Sequence, residues 1–415
     1  MKHLYLIRLA GKNLFRYKRR TLITMAVLAV GIAGFILLDS LLIGARSESE
    51  LALIYYEMSQ GRLVTPEYWE DWKDRPLEEV IEDPDLLIRE LADKGIPAVK
   101  RNEWDATAVT RSGVGGSFPV IVTALEPEED TRVNRIRETL KEGRFPQAGL
   151  EEAAIGEWLA QDMGLQPGDE LTLQMIDRWG SREAMDLEIV GLVNSPNAQI
   201  NRSYLFIPLD TADYYLAMEG ASTMVLVDLP LSRREQIRAE QALLALADKY
   251  GLEYHGWRDW SADYLAMAAG DSYSSGVILF LVFIIASVGL ANTMLMSVME
   301  RQPEIGMMRS LGMKESAVRR LFLFEAILIG LMGSFVGLVL AVLGNIPLVR
   351  YGWDFSWMMR DFNMGYRFTG LIHGVWNGPS YLYGLIAGIA ICLSVTWLSV
   401  RKIIKKPITD EIRAA

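Results

Sequence analysis

The sequence predicts an α-helical membrane protein with four transmembrane helices and a large α+β domain inserted between the first and the second. Three observations lead there. Apolar runs at 22–45, 274–298, 321–348 and 381–400 are each long enough to cross a hydrocarbon core about 30 Å thick at about 1.5 Å per residue. Charge divides along the same boundaries. The formal net charge is −10, but residues 46–272 carry 43 acidic and 22 basic side chains, whereas the rest of the chain holds 9 acidic and 20 basic ones. Finally, the 46–272 stretch alternates helical and strand patterns, as a folded domain does and a linker does not.

Residues 1–21 hold Lys2, Arg8, Lys12, Arg16, Lys18, Arg19 and Arg20 without one acid, mixed with Leu4, Ile7, Leu14 and Phe15. Such a segment reads as a basic amphipathic helix lying on anionic lipid. The run at 22–45 exceeds the apolar core of a signal peptide and is therefore the first span, with Asp39 expected as a solvated residue near its outer end. Positive flanks hold the N-terminus inside. Residues 46–272 then lie outside, the span at 274–298 returns, and the 299–320 loop carries five basic residues against three acids. The third span, 321–348, goes out, a short loop at 349–380 follows, and 381–400 returns to the basic tail 401–415. Every segment assigned to the inside is net basic.

Within the insert, Arg46–Gln60 and Asp259–Tyr273 are expected as helical stalks. Asp83–Lys94 reads as a helix with Pro84 in its first turn and Gly95 past its end. Ser117–Ala124 reads as a strand and Ala153–Met163 as a helix. A turn at Gly164–Asp169 leads into a strand at Glu170–Met175. Met185–Leu192 and Tyr204–Ile207 are further strands, and Arg234–Tyr250 is a helix stopped by Gly251.

Most of the functional information sits between the second and third spans. An apolar run gives way at Val298 to Glu300-Arg301-Gln302-Pro303-Glu304, followed by Ile305-Gly306-Met307-Met308-Arg309-Ser310-Leu311-Gly312. This is a short amphipathic helix on the inner surface, placed for a soluble partner to grip. Asn292, Met296, Val298, Glu300, Arg301, Glu304, Ile305, Gly306, Arg309, Leu311 and Gly312 together resemble the signature of FtsX-like permeases of the MacB, LolC and LolE type. Arg8, Lys12 to Arg16 and Arg19 to Thr21 are similar to that family's opening. Ala154-Ile155-Gly156-Glu157, Ala160, Met163-Gly164-Leu165, Pro167-Gly168-Asp169, Leu171 and Ile189-Val190-Gly191 resemble its periplasmic core domain.

The resemblance implies a non-catalytic ABC transporter permease in a bacterial inner membrane. It would dock two copies of a separate ATPase, which would bind the ATP and Mg, and pair with a second permease copy or a paralogue. Glu300, Arg301, Glu304 and Arg309 would form a polar grip and Ile305, Met308 and Leu311 apolar knobs, with Gly306 and Gly312 in the same ATPase-coupling segment. The arrangement is similar to lipoprotein-releasing permeases, which implies a lipoprotein or other amphipathic substrate and a periplasmic carrier. Efflux or mechanotransmission of the MacB or FtsX kind is the alternative, and a membrane-anchored scaffold without transport a third class.

The residues themselves exclude several chemistries. There is no Gly-x-x-x-x-Gly-Lys-Ser/Thr loop to cradle phosphates, no Gly-x-Ser-x-Gly elbow and no His-Glu-x-x-His helix. His3, His255 and His373 are far apart, so no metal site is expected, and nothing in the pattern points to nucleic acid. Cys392 is the single cysteine. Glu325 lies inside an apolar segment, where a charge costs roughly 2.5–3.5 kcal/mol, and pairing with Arg319 or Arg320 is expected. Gly330, Gly333 and Gly337 share one helical face, as small residues do where membrane helices pack closely. The aromatics Trp353, Phe355, Trp357, Phe362, Tyr366 and Phe368 suit an interfacial segment or a lip for an amphipathic substrate.

Overall fold

A computed structural model describes the chain apart from residues 1, 17, 111–115, 231, 267, 269–276, 278–279, 282–283, 286, 289–290, 293–294, 297–298, 360–369 and 405–415. The span expected at 274–298 therefore lies largely outside the described residues, as do Phe362, Tyr366, Phe368 and the tail beyond Ile404. The chain divides into two compact units, one of Met1–Arg46, Ala268–Asp354 and Ile372–Ala415, the other of Ser47–Met267 with Phe355–Leu371.

Among the described residues, three helices are long and apolar enough to cross a membrane. They correspond to Thr21–Met58, Glu315–Tyr351 and Gly378–Arg401. Each outruns its apolar stretch because charged turns continue the helix beyond the hydrocarbon, as Glu315–Arg320 does before Leu321. Leu28, Ile32 and Ile36 of the first pack with Ala326, Ile329 and Ala341 of the second and Cys392 of the third. The glycine face makes this possible. A Cβ on Gly330 would lie 3.1 Å from the Ile389 Cα, one on Gly333 2.9 Å from Leu28 Cδ2, and one on Gly337 2.9 Å from the Ala29 carbonyl oxygen. Contacts between helices in lipid depend on such fit, because lipid tails solvate leucine as well as protein does. Asp39 is not merely a solvated end residue. Its carboxylate accepts from Asn377 Nδ2 at 3.1 Å and from the Ser380 hydroxyl, so the start of the last helix is tied to the middle of the first.

In the second unit, β1 (Gly61–Val64), β2 (Ala98–Thr110), β3 (Gly116–Leu125), β4 (Leu140–Gly143), β5 (Glu152–Gly156), β6 (Glu170–Ile176), β7 (Arg182–Val193), β8 (Tyr204–Pro208), β9 (Met224–Val227) and β10 (Glu253–Gly256) form one mixed sheet in the order β10-β1-β9-β2-β3-β8-β5-β7-β4, with β6 joining β2 to β7. Strands β2, β3, β8, β5, β7 and β6 thus close a ring. Strand β2 makes this possible by serving two neighbours along one edge. Ala98–Arg101 pairs with β9 and Thr107–Val109 with β6, while β3 occupies its other edge. The ring encloses Trp104, Val122, Ile155, Leu173, Leu187 and Leu205. Beyond β9, the helices Pro84–Asp93 and Arg233–Tyr250 cover a second core around Leu63, Leu87, Leu91, Val225, Val227 and Leu243.

Asp83 caps its helix by accepting the Leu86 amide at 3.2 Å, and Gly251 ends the later one at φ 64°. The reading of Ala153–Met163 as one helix is corrected. Glu152–Gly156 is a strand and only Glu157–Met163 is helical, because Ala153, Ala154 and Ile155 are all buried between β7 and β8. A short apolar run gives no period by which to choose.

Candidate coupling site

The helix expected in the inner loop is present at Gln302–Ser310, with Pro303 in its first turn, where no hydrogen bond is lost. It stops at Gly312, whose φ of 89° suits glycine. What braces it is a buried ionic cluster within the membrane unit. Arg301, only 6% exposed, places Nη1 2.6 Å from Glu325 Oε2 and Nε 3.0 Å from Glu304 Oε2. The guanidinium carbon lies 4.8 Å from the Phe322 ring centroid. The other Glu325 oxygen accepts from Asn13 Nδ2 at 2.6 Å, and Arg16 reaches Glu304 at 3.6 Å. One acid deep in an apolar helix thus joins three segments, the N-terminal helix Lys2–Arg16, the start of the short helix, and the long helix Glu315–Tyr351.

Glu325 therefore pairs with Arg301 and not with Arg319 or Arg320. Residues five and six positions away on one helix do not share a face, whereas those three or four apart do. Burial makes the pair consequential. Desolvation opposes the charge on Arg301, but Glu325 and Glu304 outweigh it and raise its pKa further. Removing Arg301 would leave the Glu325 carboxylate charged in a poorly hydrated place with its opposite charge gone.

The structure sorts the residues singled out in the loop. Glu300 is exposed, Arg301 is the buried anchor, and Glu304 is half-buried beside it. Ile305 has no exposed surface and packs on Val318, Phe322 and Val400, with Gly306 buried next to it. Met308 is half-buried against Ile305 and, on another side, against Ala10 and Leu321. Arg309 Nη2 sits 3.2 Å from Glu315 Oε1. Leu311 is 82% exposed and Met307 61%, and Gly312 is exposed. Ile305 is thus a core residue of the bundle, and the outward apolar side chains are Met307 and Leu311. Sequence reasoning missed Asn13 and Met307. The signal for Asn13 was a single uncharged amide among the basic residues of an amphipathic helix. For Met307 there was none, since Met307 and Met308 are indistinguishable until the helix phase is known.

Comparison with known proteins agrees with this architecture. The model of the FtsX-like permease C-terminal matches residues 276–408, and that of the MacB-like periplasmic core domain matches residues 21–241. The uncharacterized ABC transporter permease MJ1507 of Methanocaldococcus jannaschii is 26% identical over 37% of this chain and 40% of its own length. The lipoprotein-releasing system transmembrane protein LolC of Haemophilus influenzae is 22% identical over 54% of each. The macrolide export ATP-binding/permease protein MacB of Mannheimia succiniciproducens is 30% identical over 36% of this chain and 24% of its own. The chain thus spans about half the length, or less, of these relatives. The second model alone takes in more than half of the chain, and with the first it settles the family: this chain belongs to the ABC transporter permeases that join a MacB-like periplasmic core domain to an FtsX-like permease region.

Proposed function

We propose that this permease takes mechanical work from two copies of a separate ABC ATPase gripping the helix Gln302–Ser310. In this reading four spans cross a bacterial inner membrane, both termini lie in the cytoplasm, and the 46–272 domain moves on the far side. ATP and Mg stay with the partner, and a second permease copy or paralogue completes the complex. The observation that carries the reading is the braced helix. Its inward side is clamped by Arg301, Glu325 and Asn13, and its far end offers Met307 and Leu311 to solvent. A partner that pushes on exposed apolar residues moves whatever the clamp holds, and here the clamp holds a membrane helix directly. Glu300, Glu304 and Arg309 would rim the contact.

The work is proposed to go into lifting an acylated protein out of the membrane toward a periplasmic carrier. The longer shared region with LolC, 54% of this chain against 36% for MacB, supports this substrate. The higher identity to MacB, 30%, supports efflux as the second reading. Purifying the chain from its own membranes tests the first step. It should bring a nucleotide-hydrolysing subunit with it, and recovery of the intact chain without one would end the coupling reading. Depletion tests the second. Lipoproteins should collect in the inner membrane, whereas normal lipoprotein traffic with lost export of a small amphiphile would select efflux.

A further inference from the structure

We infer that Glu57 is the positioning residue through which the first long helix grips the sheet of the inserted domain, and that Ser59 is a strained link allowing this grip a second arrangement. The inference rests on the force-transmitting role proposed above. Helix Lys18–Ala52 continues as a π-helical turn, Leu53–Met58, and only Ser59 and Gln60 separate that turn from β1. The Glu57 carboxylate is buried and receives Asn197 Nδ2 at 2.6 Å and the Tyr204 hydroxyl at 3.2 Å. Its carbonyl receives Arg62 Nη2 at 2.9 Å. Asn197 is oriented for this, because its Oδ1 accepts the Gln199 amide at 3.0 Å and leaves the NH2 to donate. One helix end is thus tied to β1, to β8 and to the start of the helix Ala198–Ser203.

The next link is strained. Ser59 has φ 60° and ψ −172°, a region that residues other than glycine avoid and occupy only when their surroundings impose it. Here burial and a 2.7 Å bond from its hydroxyl to the Val227 carbonyl do so. Such outliers concentrate where a structure must change, and π turns mark the same places. There is also room for change. A cavity of about 130 Å³ is lined by Glu57, Met58, Arg62, Trp260 and Ser261. Trp260 Nε1 and Ser261 Oγ beside it engage no protein group in this arrangement, although both are buried. Converting the π turn to an α turn would advance the helix by one residue, about 1.5 Å and about 100°, carrying Glu57 off Asn197 and Tyr204.

Hydrogen exchange on the full chain in nanodiscs tests this with three variants. Glycine relieves the backbone strain at position 59 and alanine keeps it, while both delete the hydroxyl. Amides of 53–62 should therefore exchange about tenfold more slowly in Ser59→Gly than in Ser59→Ala. Glu57→Gln should speed exchange in 53–62 and leave the β6–β7 pair unchanged. Equal exchange in the two Ser59 variants, or uniform acceleration throughout the domain in Glu57→Gln, would overturn the inference. Repeating the measurement with and without ATP on whatever ATPase co-purifies keeps the two readings apart. Absence of an ATPase defeats the proposed function, while the variant comparison still judges the joint.

Discussion

Replacing Arg301 by methionine should unseat the helix Gln302–Ser310 without preventing insertion of the chain. Its guanidinium and the Glu325 carboxylate are each about nine-tenths buried and 2.6 Å apart, so little solvent screens them. Removing one partner of such a pair costs about 3–5 kcal/mol, because the other is left charged and uncompensated. At 1.4 kcal/mol per tenfold, the open population of the short helix should rise by about a hundredfold to a few thousandfold. Met fills much of the vacated volume beside Phe322, so the loss is electrostatic and not a cavity. Amide exchange over 302–310 in the purified full-length chain reads the effect directly. The double variant Arg301→Met, Glu325→Met should recover most of it, since a buried pair exchanged for apolar side chains is often neutral. An Arg301→Met change below about tenfold, or a double variant as open as the single one, would refute the claim that this pair braces the helix.

Three further outcomes follow from the same structure. Leu311→Glu should abolish co-purification of an ATPase while the melting temperature stays unchanged, whereas Ile305→Asp, at a site with no exposed surface, should lower the melting temperature by several degrees; co-purification intact in Leu311→Glu would remove that residue from the contact. A cysteine placed at Ser181, in the β6–β7 turn, should react with an impermeant reagent from outside intact inner membranes, because the native Cys392 is buried and silent; reaction only after permeabilisation would reverse the proposed orientation. Burial alone would raise the pKa of Glu103, but Arg62, Arg101 and Arg75 pull it below the ordinary carboxylate value. The stabilisation this provides is complete above the unfolded-state value, about 4.3, and is lost as pH falls through the lower folded value. Thermal melts of the full chain should therefore show an acid limb below about pH 4 that flattens in Glu103→Gln, and an unchanged limb would show that the charge is uncoupled from folding.

The sequence by itself determined what depends on long stretches summed together. Apolar runs of about twenty residues marked the helices now observed at Glu315–Tyr351 and Gly378–Ile404, and the opposite charge of residues 46–272 marked the insert. Cap and turn chemistry at Asp83 and Gly251 located helix ends because those effects act within a few residues. Pairing at a distance was not legible in the same way. Strand β2 was missed because Lys100, Arg101, Asn102, Glu103 and Asp105 look like a solvated stretch, yet Arg101 and Glu103 are buried. The groups that neutralise them, Asp130 and Arg62, come from elsewhere in the chain. Likewise only the packed bundle decided that Ile305 points inward and Met307 outward, and that Glu325 meets Arg301. A nine-residue helix carries too few turns to reveal its phase, and the direction of a buried charge is set by whichever opposite charge the fold brings within reach.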